Sequence, residues 1–233
     1  QVLVNTAASM ARRKKTPAHA PPPAGEEHRY ATQRYWAARY AAVGAGDVFE
    51  WFLSFGDLRP LLGFVRRRSS VLDLGCGTSR LLCDMREAGY AGRLVGVDCA
   101  AAALRSVKER SEACRVELVE ADATTLAPFA DATFDVVVDK GTVDALISGD
   151  AAAATEACAA AGRVLKRGGR FVVVSHRRPD GDDAWLEAVL AGLSEVDAAW
   201  RVDAHASAGP AVYVFTKRRS ACRDVELVVH EYG

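Results

Sequence analysis

From residue 70 onward, short runs of β-branched residues alternate with alanine-rich stretches of helical character. The predicted strands are 70–74, 93–98, 116–120, 134–139, 169–175, 198–205 and 211–217, and the predicted helices are 79–88, 100–112, 152–166 and 182–194. Strands that alternate with helices form βαβ units and a mainly parallel sheet. The last two strands are separated by too few residues for a parallel crossover, so they must form an antiparallel hairpin. The predicted fold class is α/β: a Rossmann-like, seven-stranded, mainly parallel sheet with an antiparallel last strand and helices on both faces.

The amino-terminal part of the chain changes character at residue 25. Residues 1–25 contain a basic cluster and a proline-rich run, with too little apolar surface to offset the entropy of ordering, and are predicted to be a disordered tail. Residues 26–233 are predicted to form one domain, with a helical amino-terminal cover at 26–68 and a core at 69–220. In the cover, aromatic residues at helical spacing predict a helix around Trp36 and Tyr40, and the apolar segment from Phe49 to Phe64 predicts a second.

Composition narrows the possible partners and the compartment. Thirty basic residues balance thirty acidic ones, so the net charge offers no general attraction to nucleic acid or to an anionic membrane. The six cysteines have no close spacing with one another or with the five histidines, so neither a metal site nor a disulfide framework is predicted. A reducing compartment, the cytoplasm, is the expected location. The basic cluster near the amino terminus leaves mitochondrial and nuclear addresses open.

A glycine turn, Gly75 to Thr78, follows the first strand and precedes a helix, an arrangement that lets the backbone approach a nucleotide closely. A tight structural turn is the alternative. Arg80 stands where a dinucleotide-binding motif has its third glycine, which disfavours a pyrophosphate cofactor. Asp73 precedes the turn, where a carboxylate would repel a pyrophosphate but attract the ammonium and sulfonium groups of S-adenosylmethionine. Asp73, Gly75 and Gly77 therefore predict S-adenosylmethionine as the cofactor, in preference to NAD.

Acidic residues end the next strands of the predicted sheet. Asp98 ends the second strand about 20 residues after the turn, where a carboxylate can accept hydrogen bonds from both hydroxyls of a ribose. A surface acid at a strand end is the alternative. Asp122 follows the third strand at the height of an adenine amino group, or else is an ordinary helix cap before Ala123 and Thr124. Asp139 and Lys140 end the fourth strand and are expected to border the methyl donor and its acceptor.

These motifs together resemble a known family. The run from Val71 to Ser79, with Asp98 and Asp122, resembles the class I seven-strand methyltransferases. The runs 35–40, 50–52 and 139–146 are similar to the methyltransferase-like branch of protein lysine methyltransferases. Within that branch the similarity is to the elongation factor 1-alpha lysine methyltransferases and, more loosely, to the mitochondrial citrate synthase lysine methyltransferase. The resemblance covers roughly residues 30 to 218.

The resemblance implies a set of residues that border the cofactor. These are Trp36, Tyr40, Trp51, Gly75, Asp98, Cys99, Asp122, Ala123 and Lys140. Cys99 and Ala123 stand where relatives commonly have bulkier residues, so the walls of the adenine pocket are expected to differ. Aromatic rings in the cover could also attract a sulfonium by cation–π interaction. Alternatively, Trp36 and Trp51 only pack the cover onto the core.

The resemblance further implies methylation of a protein lysine, with elongation factor 1-alpha as the type of substrate. Methyl transfer needs alignment and exclusion of water, so no catalytic residue is assigned. The acceptor lysine must first lose a proton, and Asp139 and Asp144 are the substrate-side candidates, unless the turn or the next helix occupies them. The alternatives are a small-molecule methyltransferase on the same fold, a citrate-synthase-type lysine methyltransferase, and a non-catalytic binding module.

Overall fold

The computed structural model describes residues 25, 27–42, 44, 46–178, 183–206, 209–218 and 225–231. The predicted tail lies outside these residues, apart from Gly25. The described chain forms an eight-stranded sheet with the order β3-β2-β1-β4-β5-β7-β6-β8. Its strands are β1 (Val71–Leu74), β2 (Leu94–Asp98), β3 (Glu117–Glu120), β4 (Phe134–Lys140), β5 (Leu165–Ser175), β6 (Ala199–Ala206), β7 (Ala211–Arg218) and β8 (Val225–Glu231).

The strand directions confirm the predicted fold class. Strands β1 to β5 pair in parallel, whereas β7 runs antiparallel to both β5 and β6, as the short connection between the last two predicted strands required. An eighth strand, β8, pairs in parallel with β6. It lies beyond residue 220, where the core was predicted to end, so the sheet extends further toward the carboxyl terminus than expected.

Seven α-helices accompany the sheet in the described part of the chain. They are α1 (Gln33–Ala41), α2 (Phe55–Leu58), α3 (Leu81–Glu87), α4 (Ala101–Ala113), α5 (Thr142–Ile147), α6 (Ala151–Val164) and α7 (Asp183–Ser194). Short 3-10 helices occupy Glu27–Ala31 and Arg59–Leu62. No helix among the residues described is long and apolar enough to cross a membrane.

Hydrophobic side chains bury both faces of the sheet. Successive residues of a strand point to opposite faces, so Val136 and Val137 of β4 belong to two different core clusters. Val137 shares its cluster with Trp185 of α7, and Val136 shares its cluster with Leu81 of α3 and Leu58 of α2. Because helices cover both faces, the carboxyl ends of the strands form the accessible edge of the sheet.

The cover departs from the sequence prediction in one segment. The expected first helix is present as α1, preceded by the 3-10 helix and capped by Thr32, whose side chain accepts a hydrogen bond from the Tyr35 amide. The second, expected from Phe49, begins only at Phe55. Phe52 has a φ of +59°, which a right-handed helix cannot contain. The helical prediction for 49–54 was therefore wrong, and these residues run along the core as an irregular segment.

Candidate functional site

A cavity of about 670 Å³ lies at the carboxyl ends of β1 to β5, within the range of about 300–1,000 Å³ typical of ligand pockets. The strand order reverses around β1, and ligands of open α/β sheets bind at such a reversal. The strand ends contribute Gly75, Asp98, Cys99, Glu120, Asp122, Ala123, Lys140, Gly141 and His176, and the cover contributes Glu27, Tyr30, Trp36, Tyr40, Trp51 and Phe52. The strand ends form the floor of the cavity and the cover forms its roof.

The glycine turn needs its two glycines for conformation and for space. Gly75 and Gly77 have φ values of +67° and +50°, a region that favours glycine. A Cβ on Gly75 would collide with the hydroxyl of Thr142, and one on Gly77 would collide with the hydroxyl of Tyr40. Gly75 lines the cavity, whereas Gly77 lies behind the lining against the ring of Tyr40.

Asp98 joins the glycine turn to the cavity. One carboxylate oxygen accepts from the Gly77 amide at 2.9 Å and the other from the Ala100 amide at 2.8 Å. Burial raises the pKa of Asp98 to about 6, and these two amides act in the opposite direction. A carboxylate has about four acceptor sites, so each oxygen can take one more donor. Asp98 is thus a buried acid with spare acceptor capacity in the cavity wall, not an exposed acid at a strand end.

Beyond Asp98 the cavity wall contains Cys99, Asp122 and Ala123. Asp122 is exposed, and its Oδ1 accepts from both the amide and the hydroxyl of Thr124, at 2.8 and 2.9 Å. It therefore caps the turn that follows β3 while its side chain also lines the cavity beside Ala123. Burial raises the pKa of the Cys99 thiol to about 11, so this residue is a small neutral part of the wall.

Aromatic rings of the cover pack on one another above the cavity. The Trp36 ring stacks on Tyr40 with centroids 5.9 Å apart and meets Trp51 edge-on at 6.0 Å. The Arg39 guanidinium lies over both indoles, 5.7 Å from the Trp36 centroid and 5.4 Å from that of Trp51. Trp36 and Trp51 thus pack the cover and also line the cavity, whereas their contact with the cofactor stays a prediction.

Lys140 lines the cavity, and its ammonium contacts the cover and the residue that follows the glycine turn. It forms an ion pair with Glu50 and donates to the Leu53 carbonyl at 3.2 Å and to the Ser79 hydroxyl at 3.1 Å. An ammonium has three N–H donors, and these three partners use them all. Lys140 therefore holds the cover onto the end of β4, and its predicted contact with the cofactor stays a prediction.

Two predicted acids lie behind the cavity lining. Asp73 is buried within β1, where desolvation raises its pKa to about 7 despite the nearby Lys140. Asp139 is completely buried and its Oδ1 accepts from the amides of Thr142 and Val143 at 2.9 and 3.2 Å. Neither carboxyl borders the cavity. Asp139 caps the start of α5, which was the alternative left open for it, and the structure does not bring it to the substrate side.

Asp144 lines the cavity, and its partner His176, which also lines the cavity, was not predicted from the sequence. Its Oδ2 lies 2.7 Å from Nδ1 of His176, the residue that directly follows β5. Its Oδ1 accepts a hydrogen bond of 2.7 Å from Ser175. The ring of Phe52 lies 6.1 Å from that of His176. Phe52 has the strained φ of +59°, and such outliers concentrate at functional sites.

Comparison with known proteins assigns the family. Residues 66–216, more than half of the chain, match a family model described as a methyltransferase domain. The chain belongs to this family. The chain is 28% identical over 219 residues to the eEF1A lysine and N-terminal methyltransferase of Bos taurus, covering 85% of this chain and 31% of that protein. It is 26% identical over 179 residues to EEF1A lysine methyltransferase 4 of Mus musculus, covering 71% of this chain and 69% of that protein.

The fold agrees with this assignment. A TehB-like S-adenosylmethionine-dependent methyltransferase from Corynebacterium glutamicum superposes with a TM-score of 0.55 at 18% identity, covering 83% of this chain and 98% of that one. The resemblance to class I methyltransferases inferred from the sequence is confirmed, as is S-adenosylmethionine as the cofactor. The bovine relative is much longer than this chain, which spans about a third of its length.

The cavity suits S-adenosylmethionine chemically. The carboxylates of Asp98 and Asp122 are acceptors for ribose hydroxyls and an adenine amine, and the rings of Trp36 and Tyr40 are apolar walls that tolerate a sulfonium. No cluster of three or more metal-ligating side chains occurs among the residues described. Bound here, the cofactor would supply an electrophilic methyl group, which the residues around the cavity would orient and shield from water.

Proposed function

We propose that this methyltransferase transfers a methyl group from S-adenosylmethionine to the side-chain nitrogen of a lysine in a protein, with elongation factor 1-alpha as the substrate. Both relatives described above are named for lysine methylation of eEF1A. The sequence motifs at 35–40, 50–52 and 139–146 support the same branch. The balanced charge of the chain agrees with a protein partner in preference to nucleic acid or a membrane surface.

The position of Asp144 in the cavity is the observation that carries the proposal. Gly75, Asp98 and Asp122 occupy the part of the cavity suited to the cofactor, and Asp144, in the first turn of α5, lines the same cavity beside Ser175 at the end of β5. Its side chain is 6% exposed. A carboxylate in a partly enclosed site attracts a cationic side chain more strongly than one in open water, because the local dielectric constant is lower. A lysine ammonium fits this charge, whereas a neutral acceptor would gain nothing from it.

The residues around the cavity support a division of tasks. In this proposal Asp98 and Asp122 bind the nucleoside, the rings of Trp36 and Tyr40 shield the methyl group from water, and Asp144 holds the acceptor end. Lys140 and Glu50 fix the cover in place, so that donor and acceptor meet in a closed space. Exclusion of water and fixed geometry are the main requirements of a direct methyl transfer.

Labelled methyl transfer tests the proposal. Purified protein and S-adenosylmethionine with a tritiated methyl group are incubated with recombinant elongation factor 1-alpha, with citrate synthase and with cell lysate, and labelled sites are mapped by mass spectrometry. We expect label on a lysine of elongation factor 1-alpha and little label with the Asp98→Ala variant. Label only on citrate synthase or another protein would show that the labelled protein, and not elongation factor 1-alpha, is the substrate. Label only in small molecules, or none at all, would overturn the proposal in favour of a small-molecule enzyme or a binding module.

The proposed substrate also bears on the compartment. Elongation factor 1-alpha works where proteins are synthesised, so we propose that this protein acts in the cytoplasm. Fluorescence microscopy of a carboxyl-terminal fusion, with the basic amino-terminal segment present or removed, tests this location. Mitochondrial import that depends on the basic segment would favour the citrate synthase alternative.

A further inference from the structure

The Asp144 carboxylate and the His176 imidazole form a fixed pair at the cavity. Oδ2 of Asp144 lies 2.7 Å from Nδ1 of His176 and also accepts the His176 backbone amide at 3.1 Å. Oδ1 accepts the hydroxyl of Ser175 at 2.7 Å. The Asp144 side chain is 6% exposed and the His176 side chain 58% exposed. The carboxylate is thus held in place, while the imidazole reaches out to the cavity and to solvent.

The pairing determines where the proton of a neutral imidazole sits. An ionised carboxylate only accepts hydrogen bonds, so Nδ1 of His176 must carry the proton that faces Asp144. The other ring nitrogen, Nε2, then keeps a free lone pair and can act as a base. The same pairing of carboxylate and imidazole orients the catalytic base in unrelated hydrolases.

The other charged groups near this pair leave the role of base to His176. Both oxygens of Asp144 already accept hydrogen bonds, Oδ2 from His176 and Oδ1 from Ser175, and Oδ1 keeps one further acceptor site. Asp139 lies behind Asp144, and burial followed by the charge of Asp144 raises its pKa to about 8, so it is mostly neutral at pH 7. Arg177 follows His176 in the cavity lining, and Phe52 is the neighbour from the cover. Among these groups, the His176 imidazole is the one that is largely exposed and that has a ring nitrogen free of Asp144, with a lone pair that can accept a proton.

We propose that His176, oriented by Asp144, is the catalytic base that takes the proton from the acceptor ammonium before methyl transfer. An N–H bond of the ammonium breaks, its electron pair stays on the amine nitrogen, and the proton binds Nε2. The freed pair forms the new bond to the methyl carbon, while the electron pair of the breaking carbon–sulfur bond stays on sulfur. The imidazolium then releases its proton to water at its exposed edge. This inference rests on the proposed function, because it requires an amine acceptor.

The pH dependence of a His176→Gln variant separates a base from a structural residue. General base catalysis contributes typically about 10²–10⁴-fold, so we expect kcat/KM near pH 7 to fall by about 100-fold. The difference from the native protein should narrow toward pH 10, because a lysine amine, with a pKa of about 10.4, then loses its proton without help. Affinity for S-adenosylmethionine, measured by calorimetry, should stay within about twofold. His28→Gln, at an exposed histidine of the first 3-10 helix, is the matched control and should behave as the native protein does.

A spectroscopic measurement tests the pair without turnover. Nitrogen-15 NMR of histidine-labelled protein, with the His176 signals identified by their loss in His176→Gln, reports which ring nitrogen carries the proton. We expect the neutral ring to be protonated on Nδ1 in the native protein, and a mixture of both tautomers in Asp144→Asn. Protonation on Nε2 in the native protein would overturn the proposed orientation.

The two proposals fail in different ways. If the native protein methylates no amine, the proposed function is wrong, whatever the NMR result. If the native protein methylates a lysine and His176→Gln matches its activity at every pH, the base assignment alone is wrong. A loss of activity that stays constant from pH 7 to 10 would also reject the base and assign His176 a structural role.

Discussion

The ammonium of Lys140, the last residue of β4, forms an ion pair with the carboxylate of Glu50, which lies 90 residues earlier in the cover. The same carboxylate accepts from the Ser79 hydroxyl at 2.8 Å and the Arg80 amide at the start of α3. One acidic side chain therefore joins the cover, β4 and the helix that follows the glycine turn. The ion pair with Glu50 explains why Lys140 is buried although it is charged.

Replacing Lys140 with Met should lower the stability of the protein, because it removes the ion pair between β4 and the cover. A hydrogen bond to a charged group contributes about 1.5–3 kcal/mol, so we expect the free energy of unfolding to fall by about that amount. Urea denaturation measures it. The double variant Glu50→Gln/Lys140→Met should lose less than the sum of the two single variants, because they share one interaction. Strictly additive losses would show that the two side chains do not stabilise each other.

Asp98→Asn should weaken cofactor binding while it keeps the shape of the side chain. Asparagine has one acceptor oxygen in place of two, so it cannot serve the Gly77 amide, the Ala100 amide and a ribose together. A loss of about 1.5–3 kcal/mol corresponds to about 10- to 150-fold weaker binding of S-adenosylmethionine, measured by calorimetry. Asp57→Asn, in the capping box of α2, is a control at a distant carboxylate. Unchanged affinity in a folded Asp98→Asn protein would remove this residue from the cofactor site.

Gly77→Ala should displace the cover from the glycine turn. The new Cβ would collide with the hydroxyl of Tyr40 and would also hold a positive φ that costs an L-residue about 1–2 kcal/mol. We expect lower thermal stability and weaker binding of S-adenosylmethionine. Adding Tyr40→Phe removes the hydroxyl but leaves the φ cost, so the double variant should regain only part of the stability. If Tyr40→Phe restores nothing, the collision is not the cause of the loss.

Asp139→Asn should change how stability depends on pH. Burial raises the pKa of Asp139 to about 8, above its ordinary value of 3.8, so between about pH 4 and 8 the folded protein keeps a proton that the unfolded chain has lost. Stability therefore falls as pH rises through this window, by at most about 1.4 kcal/mol per pH unit for one group. The variant lacks this loss, so its free energy of unfolding relative to the native protein should rise from pH 5 to pH 8.

Asp135→Asn is the matched control for this measurement. Burial acts to raise the pKa of Asp135, but hydrogen bonds from Ser70 and Lys166 outweigh it, and the pKa is lowered. Its titration lies below pH 5, so the variant should differ from the native protein by the same amount at pH 5 and pH 8. A constant difference for Asp139→Asn as well would mean that Asp139 is ionised in the folded protein.

The parts of the fold and site that the sequence predicted depend on local pattern. Alternating strands and helices, the spacing of Gly75 and Gly77, and acids at strand ends such as Asp98 are visible within a few residues. The topology then brings all carboxyl ends of parallel strands to one edge. The strand pattern of residues 225–231, with valines in successive positions, was also present in the sequence, and it would have predicted β8.

The features that could not be predicted depend on long-range contacts. Nothing near Lys140 in the sequence indicates that its ammonium will pair with Glu50. Lys140 lines the cavity as well, and its contact with the cofactor stays a prediction. Asp139 and Asp144 share one short motif, and only the fold separates the acid that caps α5 from the acid that reaches His176. The signal for His176 was its place directly after a strand, where ligand-facing residues gather, but a single histidine has no spacing pattern to support it.

The roof and the floor of the cavity come from different stretches of the chain. The floor belongs to residues 66–216, which match the methyltransferase family, whereas Trp36, Tyr40 and Trp51 precede them. No strand pairing links these aromatic residues to the sheet. Insertions or exchanges in residues 27–53 would therefore leave the hydrogen-bond register of every strand intact. Chimeric proteins with exchanged roofs should therefore keep the strand ends that carry Gly75, Asp98 and Asp122, while the aromatic side chains on the other side of the cavity change.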